Sequence, residues 1–416
     1  AAPGGSAAPA FTETNAASLV VLDRSRGTTE PAPNCTAMPS GTEKTACVLT
    51  VDEDKDIGHI TTKPVTDDND DMRATQITRM NDNRWAVVMG NGYNSVNQRP
   101  VLLIQYLDGD KKLLRLQTTT DATDSGKAAD NGLGAPRLVD LNGDGRVDIA
   151  YAGDNLGNLW KFDLTSATAS NWAVAFGGAP LFTASGPAAL NGTTRPKVQP
   201  ISTPPTVRAN DRMKTVGTGT NAKNVRVGGM MVAFGTGRNV GRTDPESVDV
   251  QALYSVLDNT RYREVGTGAA KRLEVHPGGG SCPNGADCVP TPAALGAGVT
   301  TAKLAQQVVE ELSSGELGGI KPANADNELK LDTWANFNGW YLDLPAVGER
   351  LLKGMKFYDS SNLMTVYSQV PAKGSDVDPN VESCESVSVD EERQYRTFIN
   401  IMDGKAPSVA VVDANN

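Results

Sequence analysis

The chain has 416 residues, 39% of them hydrophobic and 21% charged, with a formal net charge of −10. That length can bury a large core, and the acidic balance excludes nucleic-acid binding through a basic footprint. There is no apolar run of roughly 18 residues, so no membrane-spanning helix is expected. The 42 Gly and 24 Pro favour many turns and few long helices.

The chain begins AAPGGSAAPAF, and residues 1–16 read as a linker from the interior of a longer protein. The lack of a leader therefore says nothing about export. Residues 17–416 are expected to form a single domain. Short runs bounded by turn residues recur along it: ASLVVLD (17–23), RWAVVMGNG (84–92), PVLLIQYLDG (100–109), RVDIAYAG (146–153) and GNLWKFDL (157–164). Further on come GGMMVAFGTG (228–237), QALYSVLD (251–258), GWYLDLP (339–345), KFYDSSNLMTVYSQV (356–370) and PSVAVVDA (407–414). Their lengths and β-branched or aromatic content predict strands.

These strands share a grammar. One ends in a Gly turn (VVMGNG, IAYAGDNLGN, VAFGTG) and the next in an acidic turn (IQYLDG, LWKFDL, LYSVLD). Loosely repeated blades around an axis give such a pattern, and a decorated β-sandwich is the alternative. The expected fold is all-β: an irregular, modified β-propeller of about seven blades with long loop insertions and one short helix. Loops are expected at 24–56, 110–132, 165–200, 206–226 and 259–300. The helix is expected at about 300–313, where Leu304, Val308, Val309 and Leu312 fall on one face.

Five cysteines are present. Cys35 with Cys47, and Cys282 with Cys288, flank short loops that disulfides could close in an oxidising compartment, with reduced thiols as the alternative. Cys384 is left over.

The stretch DLNGDGRVD carries the most chemistry. Asp140, Asn142 and Asp144 take positions 1, 3 and 5 of a calcium loop. Gly145 takes position 6, Arg146 offers its carbonyl at position 7 with its side chain pointing away, and Asp148 takes position 9. Calcium is a hard cation that takes six to eight oxygens at about 2.3–2.6 Å, and alternation lets a curled loop aim every second side chain inward. Three converging carboxylates without a cation would repel one another. An EF-hand needs Glu at position 12, but Tyr151 stands there and the flanks are strands. The loop is thus a shortened calcium loop closed by Asp148, with an unoccupied acidic turn as the alternative. Asp154 and Asn155, just beyond, are expected to be turn residues.

Other acidic runs are weaker. Asp52, Asp54 and Asp56 alternate, but no Gly stands at position 6 and no acid at position 9, so a solvated turn is expected, with a metal site as the alternative. DDNDD (67–71) is expected to be a hydrated loop. His59 and His276 are the only histidines, which leaves little for Ser–His catalysis or a zinc site. GTGR (235–238) lacks the Lys-Ser/Thr of a phosphate loop and reads as a strand-ending turn. Most of Trp85, Trp160, Trp172, Trp334 and Trp340 are expected in packing, with a sugar site as the alternative.

Five segments now appear in order: RATQITRMNDNRWAVVMGNGYNS, DLNGDGRVDIAYAGDNLGNLWKFDL, VQPISTPPTV, MMVAFGTGR and QALYSVLDN. Together they resemble the C-terminal domain of the PilY family of type IV pilus biogenesis factors and tip-associated adhesins, called PilC in some bacteria. The resemblance covers roughly residues 55–345. It implies a modified β-propeller, exported through the periplasm to the outer membrane, cell surface or pilus tip. It implies a non-enzymatic role with pilus subunits or minor pilins as partners, and with host-cell or surface ligands reached through an N-terminal part or the long loops. It also implies calcium control of pilus extension and retraction, twitching motility and attachment. The family's calcium ligands fall on Asp140, Asn142, Asp144 and Asp148 and the carbonyl of Arg146. No RGD tripeptide occurs, so an integrin role is not implied. A structural calcium staple without a switch is the main alternative. GNLWKFDL also resembles a blade motif of quinoprotein dehydrogenases, but the adjacent Cys pair often found there is missing.

Overall fold

A computed structural model describes residues 35–68, 72–118, 131–186, 197–276, 304–311, 317–330, 337–373 and 391–408, with residues 70 and 411. ASLVVLD, most of PSVAVVDA, Cys282, Cys288, Cys384 and Trp334 lie outside them.

Four sheets form the blades of a β-propeller. Blade 1 holds β1 (Ile77–Met80), β2 (Trp85–Gly90), β3 (Val101–Tyr106), β4 (Leu113–Gln117) and the two-residue β6 (Arg146–Val147), in the order β4-β3-β2-β1-β6. Blade 2 holds β5 (Arg137–Val139), β7 (Ile149–Gly153), β8 (Asn158–Asp163) and β10 (Phe182–Thr183), with β9 (Ala173–Val174) also paired to β8. Blade 3 has six strands: β11 (Thr206–Ala209), β14 (Met230–Gly235), β15 (Ala252–Asp258), β20 (Gly339–Asp343), β18 (Ala305–Glu311) and β19 (Leu317–Pro322). Blade 4 holds β21 (Lys356–Phe357), β22 (Leu363–Val370) and β23 (Arg393–Asn400). Two ribbons stand apart: β12 (Met213–Val216) with β13 (Lys223–Arg226), and β16 (Tyr262–Val265) with β17 (Arg272–Val275).

The expectation of about seven blades is corrected to four among the described residues. MMVAFG and ALYSVLD, a Gly-turn strand and the acidic-turn strand that follows it, pair antiparallel in one sheet as that grammar expects, and GWYLD joins the same sheet instead of opening another blade. Blade 3 is wide, and its chain leaves and returns between strands, so counting runs overcounts blades.

Blade packing explains why the inner strands are apolar on both faces. Every residue of β3, β7 and β15 is buried. In β7, Ala150 and Ala152 join a core with Met80, Val88 and Ile104 of blade 1. The alternate residues Ile149 and Tyr151 join a second core with Val232, Phe234 and Tyr254 of blade 3. In β15, Leu253 and Leu257 face a third core with Trp340, Met364 and Ile399. Period-2 alternation thus sorts one strand's side chains between two hydrophobic interfaces.

The Gly turns of the sequence bring blades together. A Cβ on Gly90 would lie 1.9 Å from the Gly134 carbonyl oxygen, so only glycine fits. Backbone bonds join neighbouring turns: Gly92 N–H to the Leu133 carbonyl at 2.9 Å, and Gly134 N–H to the Gly153 carbonyl at 2.8 Å.

The expected helix at 300–313 is corrected to a strand over Ala305–Glu311. It pairs in parallel with β20 and antiparallel with β19. Ala305 and Gln307 are buried one residue apart, a period of 2, so sheet pairing outweighs the helical spacing. Among the described residues the α-helix lies instead at Thr42–Asp54, inside the expected loop 24–56. A Cys35–Cys47 disulfide ties it to the preceding turn, as one of the two expected pairings.

Asp56 is also corrected: it is fully buried, and lies in neither a solvated turn nor a metal site. Its carboxylate accepts from Arg99 Nε at 2.9 Å, Arg115 Nη1 at 2.8 Å and Asn97 Nδ2 at 2.7 Å. Of the expected hydrated loop 67–71, Asp68 lies 3.6 Å from Arg137. Trp160, Trp172 and Trp340 are buried, whereas Trp85 is half exposed.

Candidate metal centre

The segment 140–148 runs from β5 to β7 and carries β6 within it. β5 pairs with β7 in blade 2, whereas β6 pairs in parallel with β1 of blade 1 through Arg79 with Arg146 and Met80 with Val147. Asp148 is therefore the single residue at the step from blade 1 to blade 2. It is 1% exposed.

The loop is curled by its own side chains. Gly145 adopts φ 82, which a residue with Cβ rarely takes. The Asp140 carboxylate accepts the N–H groups of Gly143 at 2.8 Å, Asp144 at 3.2 Å and Gly145 at 2.7 Å. Asn142 Oδ1 accepts the Asp144 N–H at 3.2 Å. One oxygen of Asp148 accepts the Leu141 N–H at 2.8 Å, which closes the turn.

The other Asp148 oxygen accepts from Asn81 Nδ2 at 3.1 Å. Asn81 is buried, and its amide also donates to the carbonyls of Val147 at 2.9 Å and Leu164 at 3.0 Å. It thus ties the end of β1 to both sides of the step. Asn81 lies in the quoted segment TRMNDNRW, but nothing in its spacing marks it, because its partners are far away in sequence.

The electrostatics of the loop are unbalanced. Burial pushes the Asp148 carboxyl up to about 6, against its hydrogen bonds from Leu141 and Asn81 and helped by the charges of Asp140 and Asp144. Among the described residues no Lys or Arg donates a hydrogen bond to it. Asp144 differs. Burial would raise its carboxyl, but Arg146 holds it below the ordinary value.

One detail of the expected site is corrected. The Arg146 side chain does not point away from the loop. It folds back on Asp144, with Nε at 3.1 Å and Nη2 at 2.6 Å from Oδ2, while the Arg146 N–H bonds Oδ1 at 2.9 Å. Hydrogen bonding to Asp144 raises the Arg146 pKa against partial burial, and the charges of Asp144, Asp148 and Asp140 add to it.

Among the described residues no three His, Cys, Asp or Glu side chains are gathered closely enough to hold a metal ion, and Asp140, Asp144 and Asp148 each spend their oxygens on hydrogen bonds within the protein. The donor set is nonetheless all oxygen, the backbone is already curled, and a positive group sits on Asp144. These features fit a hard cation, with Asp144 committed to an internal substitute for it.

Asp154, expected to be a turn residue, is one, and it is fully buried. Its carboxylate accepts the N–H groups of Leu156 at 2.9 Å and Asn158 at 2.8 Å, and Trp160 Nε1 at 2.9 Å.

Comparison with known proteins places this geometry. Residues 44–278 match the family model described as the PilY1 beta-propeller domain. The type IV pilus biogenesis factor PilY1 of Pseudomonas aeruginosa is 29% identical over 328 residues, covering 73% of this chain and 23% of that protein. A PilY1 homologue of Xylella fastidiosa is 31% identical over 210 residues, covering 47% of this chain and 13% of that protein. This chain thus spans less than a quarter of the length of these relatives. The crystal structure of the P. aeruginosa PilY1 C-terminal domain aligns with a TM-score of 0.52 at 24% identity, over 86% of this chain and 61% of that one, a likeness of fold. With more than half of its residues inside the matched family model, the chain belongs to the PilY1 β-propeller domain family.

Proposed function

We propose that this chain is a calcium-binding, non-enzymatic domain of a type IV pilus biogenesis factor. The pilus role is supported by family membership and by relatives named as type IV pilus biogenesis factors. The calcium role is carried by one observation: a buried carboxylate, Asp148, stands at the step between two blades with no cationic hydrogen-bond donor among the described residues, in a loop that also carries Asp140 and Asp144.

Asp140, Asn142, Asp144 and Asp148 would hold calcium through side-chain oxygens, and Arg146 through its carbonyl. The bound ion supplies the positive charge that three carboxylates in one loop need. The chain does the rest. Asp140 keeps the backbone curled, Leu141 and Asn81 fix the Asp148 carboxylate, and β6 passes the order of the loop to blade 1. Loop order would then change the surface offered to pilus subunits or minor pilins at the cell surface or pilus tip. Pilus extension and retraction, twitching and attachment would follow. Calcium shifts that balance only by its differential affinity for the two loop states.

A permanent staple is the second reading, favoured by the three hydrogen bonds that Asn81 makes across the step. The test replaces Asp148 by Ala in the full-length protein of a piliated strain and counts surface pili and twitching across calcium concentrations. The switch reading expects assembled pili with calcium-insensitive extension and retraction. Loss of the protein at every calcium concentration would support the staple. Wild-type calcium dependence in the variant would contradict both.

A further inference from the structure

We propose that the Arg146 side chain is a tethered counter-cation that sets the calcium affinity of the loop and couples its occupancy to the β16–β17 ribbon. This rests on the calcium reading above. Arg146 engages both oxygens of Asp144, one through its backbone N–H and the other through its guanidinium. The same guanidinium also feels the charges of Asp148 and Asp140. One fixed positive charge therefore already serves three negative ones. A divalent ion on Asp144 must compete with that guanidinium, because two cations crowding one carboxylate repel each other. Affinity is then lower than the oxygen set alone would give. A loop that samples environmental calcium needs such a weakened site, and here the weakening is built into position 7.

The coupling follows from a second bond. Arg146 Nη2, the atom 2.6 Å from Asp144, also donates to the Lys271 carbonyl at 3.2 Å. Lys271 closes the turn between β16 and β17. This ribbon belongs to none of the four blades, and two strands alone are marginally stable in water. Its cross-strand ion pairs, Arg263 with Glu274 and Lys271 with Glu264, are exposed and contribute little. Leu273 and Tyr262 anchor the strands by packing, whereas the bond from Arg146 reaches the turn at the tip. When Asp144 turns to calcium, Arg146 loses the partner that positions it, and the ribbon tip loses that support. The ribbon is the surface where loop occupancy is displayed.

The test titrates calcium into the metal-stripped chain by calorimetry, for the wild type and for Arg146→Gln, which keeps the backbone carbonyl. Amide hydrogen exchange over residues 262–275 is followed with and without calcium. We expect Arg146→Gln to bind about two- to fivefold more tightly, the scale of one partly exposed ion pair. Calcium should speed exchange at the wild-type ribbon tip and leave the variant unchanged. Equal or weaker affinity in Arg146→Gln, or wild-type exchange blind to calcium, would overturn the Arg146 role while leaving the calcium site standing. No binding by either protein would remove the calcium reading and this inference with it. Should Arg146→Gln fail to fold, Arg146→Lys keeps the charge, loses the two-nitrogen grip, and should still tighten binding by a smaller factor.

Discussion

Two buried carboxylates stand where blade 2 meets its neighbours, and they differ in where their positive charge comes from. Between blades 2 and 3, Lys161 of β8 lies 2.5 Å from Asp258 of β15, with side chains 1% and 3% exposed. Tyr151 donates to the same carboxylate at 2.6 Å, and Thr260 donates to its other oxygen at 2.6 Å. Burial would push Asp258 up, but the Lys161 charge and these hydrogen bonds hold it below the ordinary carboxylate value. That joint is complete. Between blades 1 and 2, Asp148 is equally hidden from solvent, and burial pushes its carboxyl up to about 6, opposed among the described residues only by the neutral donors Leu141 and Asn81. The contrast separates a joint whose cation is part of the chain from one that, on the proposed reading, takes an added cation.

The largest expected break is at the complete joint. Asp258→Ala leaves the Lys161 ammonium buried without its counter-charge and should cost about 3–5 kcal/mol. Urea unfolding measures this, and calcium should not restore the loss.

The incomplete joint should show itself through pH. In the calcium-free protein Asp148 keeps its proton to about pH 6, whereas an unperturbed carboxyl releases it near 3.8. Between those values the folded state holds the extra proton, so the stability of stripped protein should fall as pH rises through the window, by up to about 3 kcal/mol. Calcium binding runs the other way, weakening as pH drops below about 6, because the ligand must be ionised. Melting temperatures in chelator at several pH values, with Asp148→Asn as the variant that lacks the trend, check the sign.

Asn81→Ala should cost about 1–3 kcal/mol, since the Val147 and Leu164 carbonyls and one Asp148 oxygen lose a buried donor. It should also weaken calcium binding, which a Lys161 or Asp258 substitution that still folds should not. The smallest effect belongs to Arg263→Ala on the ribbon, whose exposed pair with Glu274 should be worth under about 1 kcal/mol.

Local patterns in the sequence were the most legible. RVDIAYAG gives β7, GNLWKFDL gives β8, and the Gly turns fall where blades meet, because alternation and glycine placement act within a few residues. The alternating oxygens of 140–148 likewise announce a curled loop. What escaped depends on distant partners. Asn81 and Lys161 look ordinary until the fold brings them to Asp148 and Asp258. The strand at Ala305–Glu311 carries a helical spacing that its neighbours in blade 3 override. Blade number failed for the same reason: MMVAFG and ALYSVLD pair as their Gly-turn and acidic-turn grammar suggests, but adding the distant GWYLD to that sheet is a long-range choice. The inward turn of Arg146 is a rotamer set by Asp144 and Lys271, and position 7 in a loop pattern does not specify it.

The central claim, that the joint between blades 1 and 2 is completed by calcium, is tested most directly by calorimetric titration of calcium into metal-stripped protein. Magnesium and Asp148→Ala serve as controls. One saturable calcium site, absent in Asp148→Ala, not reproduced by magnesium and accompanied by a rise in melting temperature, is the predicted result. No binding heat and no calcium-dependent stabilisation would contradict it, leaving DLNGDGRVD as an acidic turn whose only cation is Arg146.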